Sequence, residues 1–383
     1  MDELKGEYGM TERSLTKGTV GKRRQYYLGN NTPEGFFSYY NYILGQKEAE
    51  KIICIKGGPG TGKSTFMRKI GEELLKEGED VDFLHCSADS DSLDGIVLKK
   101  LKVALVDGTS PHVIDPINPG AVDSIIHLGD FWCEDGIRLN KFEIMNANEK
   151  LKGIYEIAYN YLGCAGKLHE NISKIMGKTV KTEEAYKKFA QLIGDELAHK
   201  EIKPNLGTEK KYFASAITCN GFVNYLNTLI DNCERVYVIE AEMGVDVGKM
   251  LEIFAESARY RGFDVEGYYC PMKPGKKLEH VVIPDLKLAV VTSNEFHHIE
   301  NRRPWFTYRA NTGDLSRDDL NFLKDSKELF TVLMKKTREA FGLAKRTHDI
   351  LESYYIPNMN FLQVETVRNK IIEEQKAKLK QIL

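Results

Sequence analysis

The residues most able to do chemistry stand in a row: Gly57, Gly58, Pro59, Gly60, Thr61, Gly62, Lys63, Ser64 and Thr65, within "KIICIKGGPGTGKSTFMRKIGEELLKEG" (51–78). The glycines permit backbone angles and a close approach that a Cβ would forbid, so successive N–H groups can point at phosphate oxygens. An apolar run, Ile52 to Ile55, precedes them as a buried strand, and Phe66, Ile70 and Leu74 follow at helical spacing. The spacing therefore predicts strand, turn and helix, with the positive end of the helix adding to the pull on an anion. Lys63 is expected to reach the terminal phosphates of a nucleoside triphosphate, Ser64 to ligate Mg²⁺, and Thr65 to meet a neighbouring phosphate oxygen.

Further carboxylates follow. "VALVDGT" (103–109) ends an apolar run on Asp107, placed to hold Mg²⁺ through water; a plain strand-end turn is the simpler alternative. "HCSADSDSLDG" (85–95) offers Asp89, Asp91 and Asp94, which can orient water, receive a hydroxyl proton, or merely cap a helix. Asp89 is the preferred candidate for chemistry. Gly108, not a glutamate, follows Asp107, so hydrolysis lacks an obvious base.

The same pattern recurs. With Gly62 set against Gly248, "TPEGFFSYYNYIL" (32–44) lies over "TCNGFVNYLNTLI" (218–230), and "DVDFLHC" (80–86) over "DVEGYYC" (264–270). "LDGIVLKKLKVALVDGTSPH" (93–112) and "LEHVVIPDLKLAVVTSNEFH" (278–297) share 7 of 20 positions, and "FGLAKRTHDI" (341–350) echoes "LGCAGKLHEN" (162–171). The second loop, "EAEMGVDVGKM" (240–250), is damaged: Gly57 becomes Met243, Gly60 becomes Asp246, Ser64 becomes Met250 and Lys56 becomes Glu242, while Lys249 survives. Carboxylates there repel phosphate and Met250 cannot hold Mg²⁺. Asp107 aligns with Thr292, so both expected metal ligands are missing from the second copy.

Each copy must carry an α/β core that positions its loop. Strands are expected near 25–29, 51–56, 81–86, 95–98 and 102–106, and again near 212–217, 235–240, 265–270, 281–283 and 287–292, in mainly parallel sheets with helices after strand one and after the loop. Helical stripes at 140–200 and 316–383 follow as extensions. The polar, Pro- and Gly-bearing "EIKPNLGTEKK" (201–211) sets the boundary, giving units of 1–205 and 206–383.

A net charge of −2 provides no global field for nucleic acid, and the local basic stretches "KGTVGKRR" (17–24) and "QKAKLKQIL" (375–383) read as solvated surface. Seven cysteines without a C-x-x-C pair, a polar start and no long apolar run lead to the expectation of a cytoplasmic protein that does not span a membrane. The histidine pairs His112/His297 and His169/His348 occur in both copies and so read as packing groups. Arg302, Arg303 and Arg309 of the second copy read as surface residues, with an arginine finger reaching across to the γ-phosphate as the alternative.

"GGPGTGKST" resembles the P-loop NTPase superfamily, and the whole pattern resembles a family of uncharacterised bacterial tandem P-loop ATPase-like proteins. That likeness implies ATP binding and hydrolysis, with ATP and Mg²⁺ as cofactors, but names no physiological substrate. The leading expectation is a Mg²⁺-dependent ATPase with one active site in the first half and a regulatory or scaffold second half. A kinase acting on a small molecule or nucleotide, and a nucleotide-gated module for an unknown protein partner, are the alternatives.

Overall fold

The computed structural model describes residues 20–109, 114–299 and 304–382. The first copy contains β1 (Arg23–Tyr27), β2 (Gly29–Thr32), β3 (Gly35–Ser38), β4 (Lys51–Lys56), α1 (Lys63–Lys76), β5 (Val81–His85), β6 (Leu93–Leu98), β7 (Val103–Asp107) and β8 (Asp123–His127). Helices α2 (Glu134–Arg138), α3 (Lys141–Gly177) and α4 (Thr182–Leu197) follow. The second copy repeats the order as β9 (Glu209–Tyr212), β10 (Ser215–Thr218), β11 (Gly221–Asn224), α5 (Leu226–Ile230), β12 (Arg235–Glu240), α6 (Gly248–Tyr260), β13 (Val265–Tyr269), β14 (Leu278–Ile283), β15 (Leu288–Ser293) and β16 (Phe306–Arg309). It ends in α7 (Arg317–Tyr355) and α8 (Phe361–Ile382).

The protein is α/β, with two six-stranded sheets ordered β1-β5-β6-β7-β4-β8 and β9-β13-β14-β15-β12-β16. Both are mixed: β6 and β14 run antiparallel to each of their neighbours, and the other pairings are parallel. Two expectations need correction. Each sheet has a sixth strand, β8 or β16, beside the loop strand. A hairpin rather than a helix follows strand one in both copies, closed at Gly35 (φ 107°) and Gly221 (φ 96°), where positive φ favours glycine. Only short helical turns come after it, Tyr40–Tyr42 in the first copy and α5 in the second.

Alternation along the first sheet's strands fixes its two faces. Ile53, Ile55, Phe83, Ile96 and Leu105 pack under α1, whereas Ile52, Cys54, Leu84, Val97 and Val106 join a core continuous with the second half. The halves meet about a pseudo-twofold axis. Tyr27 and Phe213, equivalent in the repeat, exchange backbone hydrogen bonds of 2.9 and 3.0 Å, the self-complementary contact of a symmetric dimer. The adjoining hairpins are tied by the Asn30 and Asn31 amides, which donate to the carbonyls of Ser215 and Ile217 at 2.8 Å each.

The helical extensions cross over. Helices α3 and α7, of 37 and 39 residues, pack along each other, and each reaches the other copy's loop. Ile172 of α3 lies against Gly244, Glu352 of α7 against Gly60, α4 packs on α6, and α8 on α1. Val364, Ile371, Ile372 and Leu379 of α8 thereby complete the core beneath the first loop. In the terminal basic stretch Lys376 pairs with Glu77, just past α1, at 3.1 Å, whereas Lys378, 3.7 Å from Glu50, and Lys380 are exposed, in keeping with the surface reading. Arg24 of the other basic stretch is mostly covered and paired with Glu266, contrary to the surface reading, while Lys22 and Arg23 are exposed. Residues 17–19 of that stretch lie outside the described residues.

Four buried histidines, His85, His169, His280 and His297, have pKa values lowered by burial and add a pH dependence, of which the first two are the clearest. Burial lowers both His85 and His169 to about 4. Because both folded values lie below the ordinary 6.5, the unfolded chain binds more protons between those limits, and stability falls as pH drops through that window. Each contributes roughly 3 kcal/mol at most. Thermal unfolding at pH 7 and pH 4.5 should differ accordingly, with a smaller difference in His169→Gln; an unchanged midpoint would refute this. Glu279, held at about 2 by His297 and Lys277 against the effect of burial, loses its contribution only below about 4.5, so the windows separate.

Among the described residues no helix is long and apolar enough to cross a membrane. All seven cysteines are free thiols.

Candidate functional site

The loop leaves the end of β4 and turns into α1 with Gly60 at φ 67° and Gly62 at φ 84°. A Cβ on Gly60 would stand 2.9 Å from Ile356 Cγ1 and 3.0 Å from the Glu352 carbonyl, so both conformation and space demand glycine. The Thr61 hydroxyl donates to the Gly58 carbonyl at 2.9 Å and braces the turn. The Lys63 ammonium folds back to donate to the carbonyls of Gly57 (3.0 Å) and Gly58 (2.9 Å) and lies 3.7 Å from Asp107. It is thus held inside the loop, one short swing from any anion there.

Ser64, at the first turn of α1, accepts the Leu93 N–H at 2.9 Å, which leaves its hydroxyl a further lone pair. Asp107, at the end of the neighbouring parallel strand, accepts from the N–H and hydroxyl of Thr109 through Oδ1 and faces Lys63 through Oδ2. A hydroxyl and a carboxylate at adjoining strand and helix ends are hard oxygen donors of the kind Mg²⁺ takes. The donor set fits the ion.

These residues line one cavity of about 1170 Å³, together with Gly57 to Thr65, Asp89 and Asp94. Asp89 is engaged on several sides: it accepts the Ser92 hydroxyl (3.0 Å) and Asp91 N–H (3.2 Å) and lies 3.4 Å from Lys345. Asp94 is buried and accepts the Tyr40 hydroxyl at 2.7 Å. Asn31, Tyr155 and Tyr159 extend the wall, the Tyr159 hydroxyl donating to Asn31 Oδ1 at 2.8 Å. The sequence-predicted residues Lys63, Ser64, Asp107 and Asp89 are therefore brought together.

The second half supplies what the motifs did not. Glu352 accepts the Gly60 N–H at 3.2 Å, with His348 3.7 Å from the same carboxylate oxygen. Tyr355 and Phe361 cover Gly58 and Gly62, and Lys345 and Arg368 bring positive charge to the wall. Arg309, which ends β16, is exposed, lies 3.6 Å from Glu242 and is not part of this cavity, in keeping with the surface reading and not with a finger. Arg302, Arg303 and His112 lie outside the described residues. The match of 341–350 with 162–171 records that the helix is shared by both copies, but not which loop it meets.

The second loop is closed by its own substitutions. Met243, Val245, Val247 and Met250 are buried in the shared core. Asp246 accepts the Gly248 N–H at 2.9 Å, taking a donor that an anion would need, and lies 3.6 Å from Lys273. Lys249 points outward to Glu252 at 3.3 Å. Behind it the buried Lys277 and Glu279 pair at 3.2 Å, with His297 3.4 Å from Glu279. The second cradle is filled from within.

No family model, curated protein or solved structure matches the chain.

Proposed function

We propose that the chain binds Mg·ATP in the first loop and hydrolyses it, and that the second half acts as a scaffold whose helices complete the site. The observation that carries this reading is the convergence of a glycine cradle, Lys63, Ser64 and Asp107 in one cavity, set against a second loop in which Met243 and Asp246 replace two of the glycines, Met250 and Thr292 replace the two oxygen donors, and Lys249 is turned outward. The backbone N–H groups of the loop and the N-terminus of α1 bind the phosphates. Lys63 exchanges the carbonyls of Gly57 and Gly58 for phosphate oxygens, where its charge offsets that building up on the transferring group. Ser64 and Asp107 are the residues that would hold Mg²⁺, which neutralises phosphate charge when bound.

The test is ATP affinity and phosphate release with and without Mg²⁺. Asp107→Asn and Ser64→Ala should each reduce Mg²⁺-dependent turnover by about 10- to 100-fold. Wild-type Mg²⁺ dependence in both variants would reject the metal assignment.

One observation favours phosphoryl transfer to a small molecule as a second reading. The cavity, about 1170 Å³, exceeds the roughly 1,000 Å³ upper range of ordinary ligand pockets and so leaves room beside a nucleotide. ADP formation that depends on an added hydroxyl-bearing metabolite would favour it over hydrolysis.

A further inference from the structure

Hydrolysis needs a group to take the proton of the attacking water, and the sequence places none after Asp107. Asp89 is already occupied by Lys345, Ser92 and Asp91. Asp94 is held by the Tyr40 hydroxyl, whereas Glu352, delivered by α7 of the second half, lines the cavity and accepts a hydrogen bond from the backbone of the loop itself. We infer that Glu352 is the general base that activates water against the γ-phosphate in the first half's site. This rests on the hydrolytic reading above.

Three observations converge. The Glu352 carboxylate accepts the N–H of Gly60, a donor of the phosphate cradle, so it stands one layer from where the phosphates bind. Its side chain lines the cavity and is one-third exposed, so water reaches it. The repeat also supplies an internal control. Extending the match of 341–350 with 162–171 aligns His348 with His169 and Glu352 with Ser173. The histidine thus occurs over both loops, but the carboxylate only over the loop that keeps Ser64 and Asp107. Over the filled loop, the Ser173 hydroxyl is buried without a partner.

When ATP enters, a phosphate oxygen takes the Gly60 N–H and displaces the carboxylate. Like charges then keep Glu352 and the γ-phosphate apart, and a water donating to both fills the gap. Its oxygen attacks the γ-phosphorus as its proton passes to Glu352. The bond from phosphorus to the bridging oxygen breaks, ADP leaves with the electron pair, and Glu352 returns its proton to solvent. A base in this position contributes on the order of 10²- to 10⁴-fold.

The experiment uses the full chain with Mg·ATP and measures the ATP dissociation constant and phosphate release separately. Glu352→Gln, which keeps size and removes the charge competing for Gly60, should bind ATP as tightly as wild type or more so, while kcat falls at least about 100-fold. Glu352→Asp should retain binding with an intermediate kcat, and it carries the test if the glutamine variant fails to fold. Ser173→Ala should match wild type in both readouts. A Glu352→Gln kcat equal to wild type or higher overturns the assignment and leaves the carboxylate as a plug in the empty loop. Wild type that binds ATP but releases no phosphate also overturns it, with the nucleotide site intact; wild type that binds no ATP overturns the hydrolytic reading with it.

Discussion

Lys63→Ala is expected to weaken ATP binding on the order of 10²-fold and to remove turnover, while Lys249→Ala leaves both unchanged. The two lysines are equivalent in the repeat, yet their surroundings are opposite. Lys63 is held between the carbonyls of Gly57 and Gly58 and 3.7 Å from Asp107, in a cavity that a nucleotide can fill. Lys249 is 73% exposed and pairs with Glu252 on its own helix. Removing charge-assisted bonds from Lys63 to phosphate costs about 3 kcal/mol, on the order of 10²-fold in Kd. Isothermal titration of both variants checks this, and equal losses would contradict it.

The second large effect is on stability. Arg24 of β1 reaches across the interface between halves and donates to both oxygens of Glu266 on β13, at 3.0 and 2.7 Å, and to the Tyr268 hydroxyl at 2.9 Å. Asp82 lies 3.7 Å from its Nε. Burial pushes the Glu266 carboxyl up, but Arg24 more than reverses this and holds it below its ordinary range. Arg24→Met leaves the buried Glu266 carboxylate without its guanidinium, while Asp82 keeps Lys99 at 3.8 Å, and breaking a buried pair in this way costs about 3–5 kcal/mol. Arg24→Met/Glu266→Met should recover much of the loss, since an apolar pair carries no uncompensated charge. Denaturant unfolding of the single and double variants measures both; a single-variant loss under about 1 kcal/mol would reject the pair as a clamp between the halves.

The sequence carried more of the loop than of its surroundings. Gly57 to Thr65 between an apolar run and a helical stripe could be read directly, because turn chemistry and periodicity are local. The repeat exposed the second, altered loop for the same reason. The direction of β6 was not legible, since a short buried run such as Leu93 to Leu98 looks alike whether its neighbours are parallel or antiparallel. Strand β8 escaped because, at the sheet edge, its one buried residue is Asp123 while Ile125 is exposed, so neither an apolar run nor an apolar/polar alternation marks it. The turn at Gly35, not helix propensity, decided the segment after β1.

The crossing of α3 and α7 was the largest gap. An apolar stripe records that a helix is covered but not by which half, and the reciprocal Tyr27–Phe213 contact that fixes the arrangement is made through backbone atoms. Glu352 and Lys345 therefore entered the candidate site only through tertiary structure. Asp89 combines both sequence readings: it braces its own turn and also borders the cavity.

The central claim is one nucleotide site per chain, in the first loop. Titration of the purified full chain with ATP and Mg²⁺, read as binding stoichiometry, tests it most directly. At ATP concentrations just sufficient to saturate wild type, one ATP is expected per chain and essentially none in Lys63→Ala. Two per chain, or one that persists in Lys63→Ala, would contradict it.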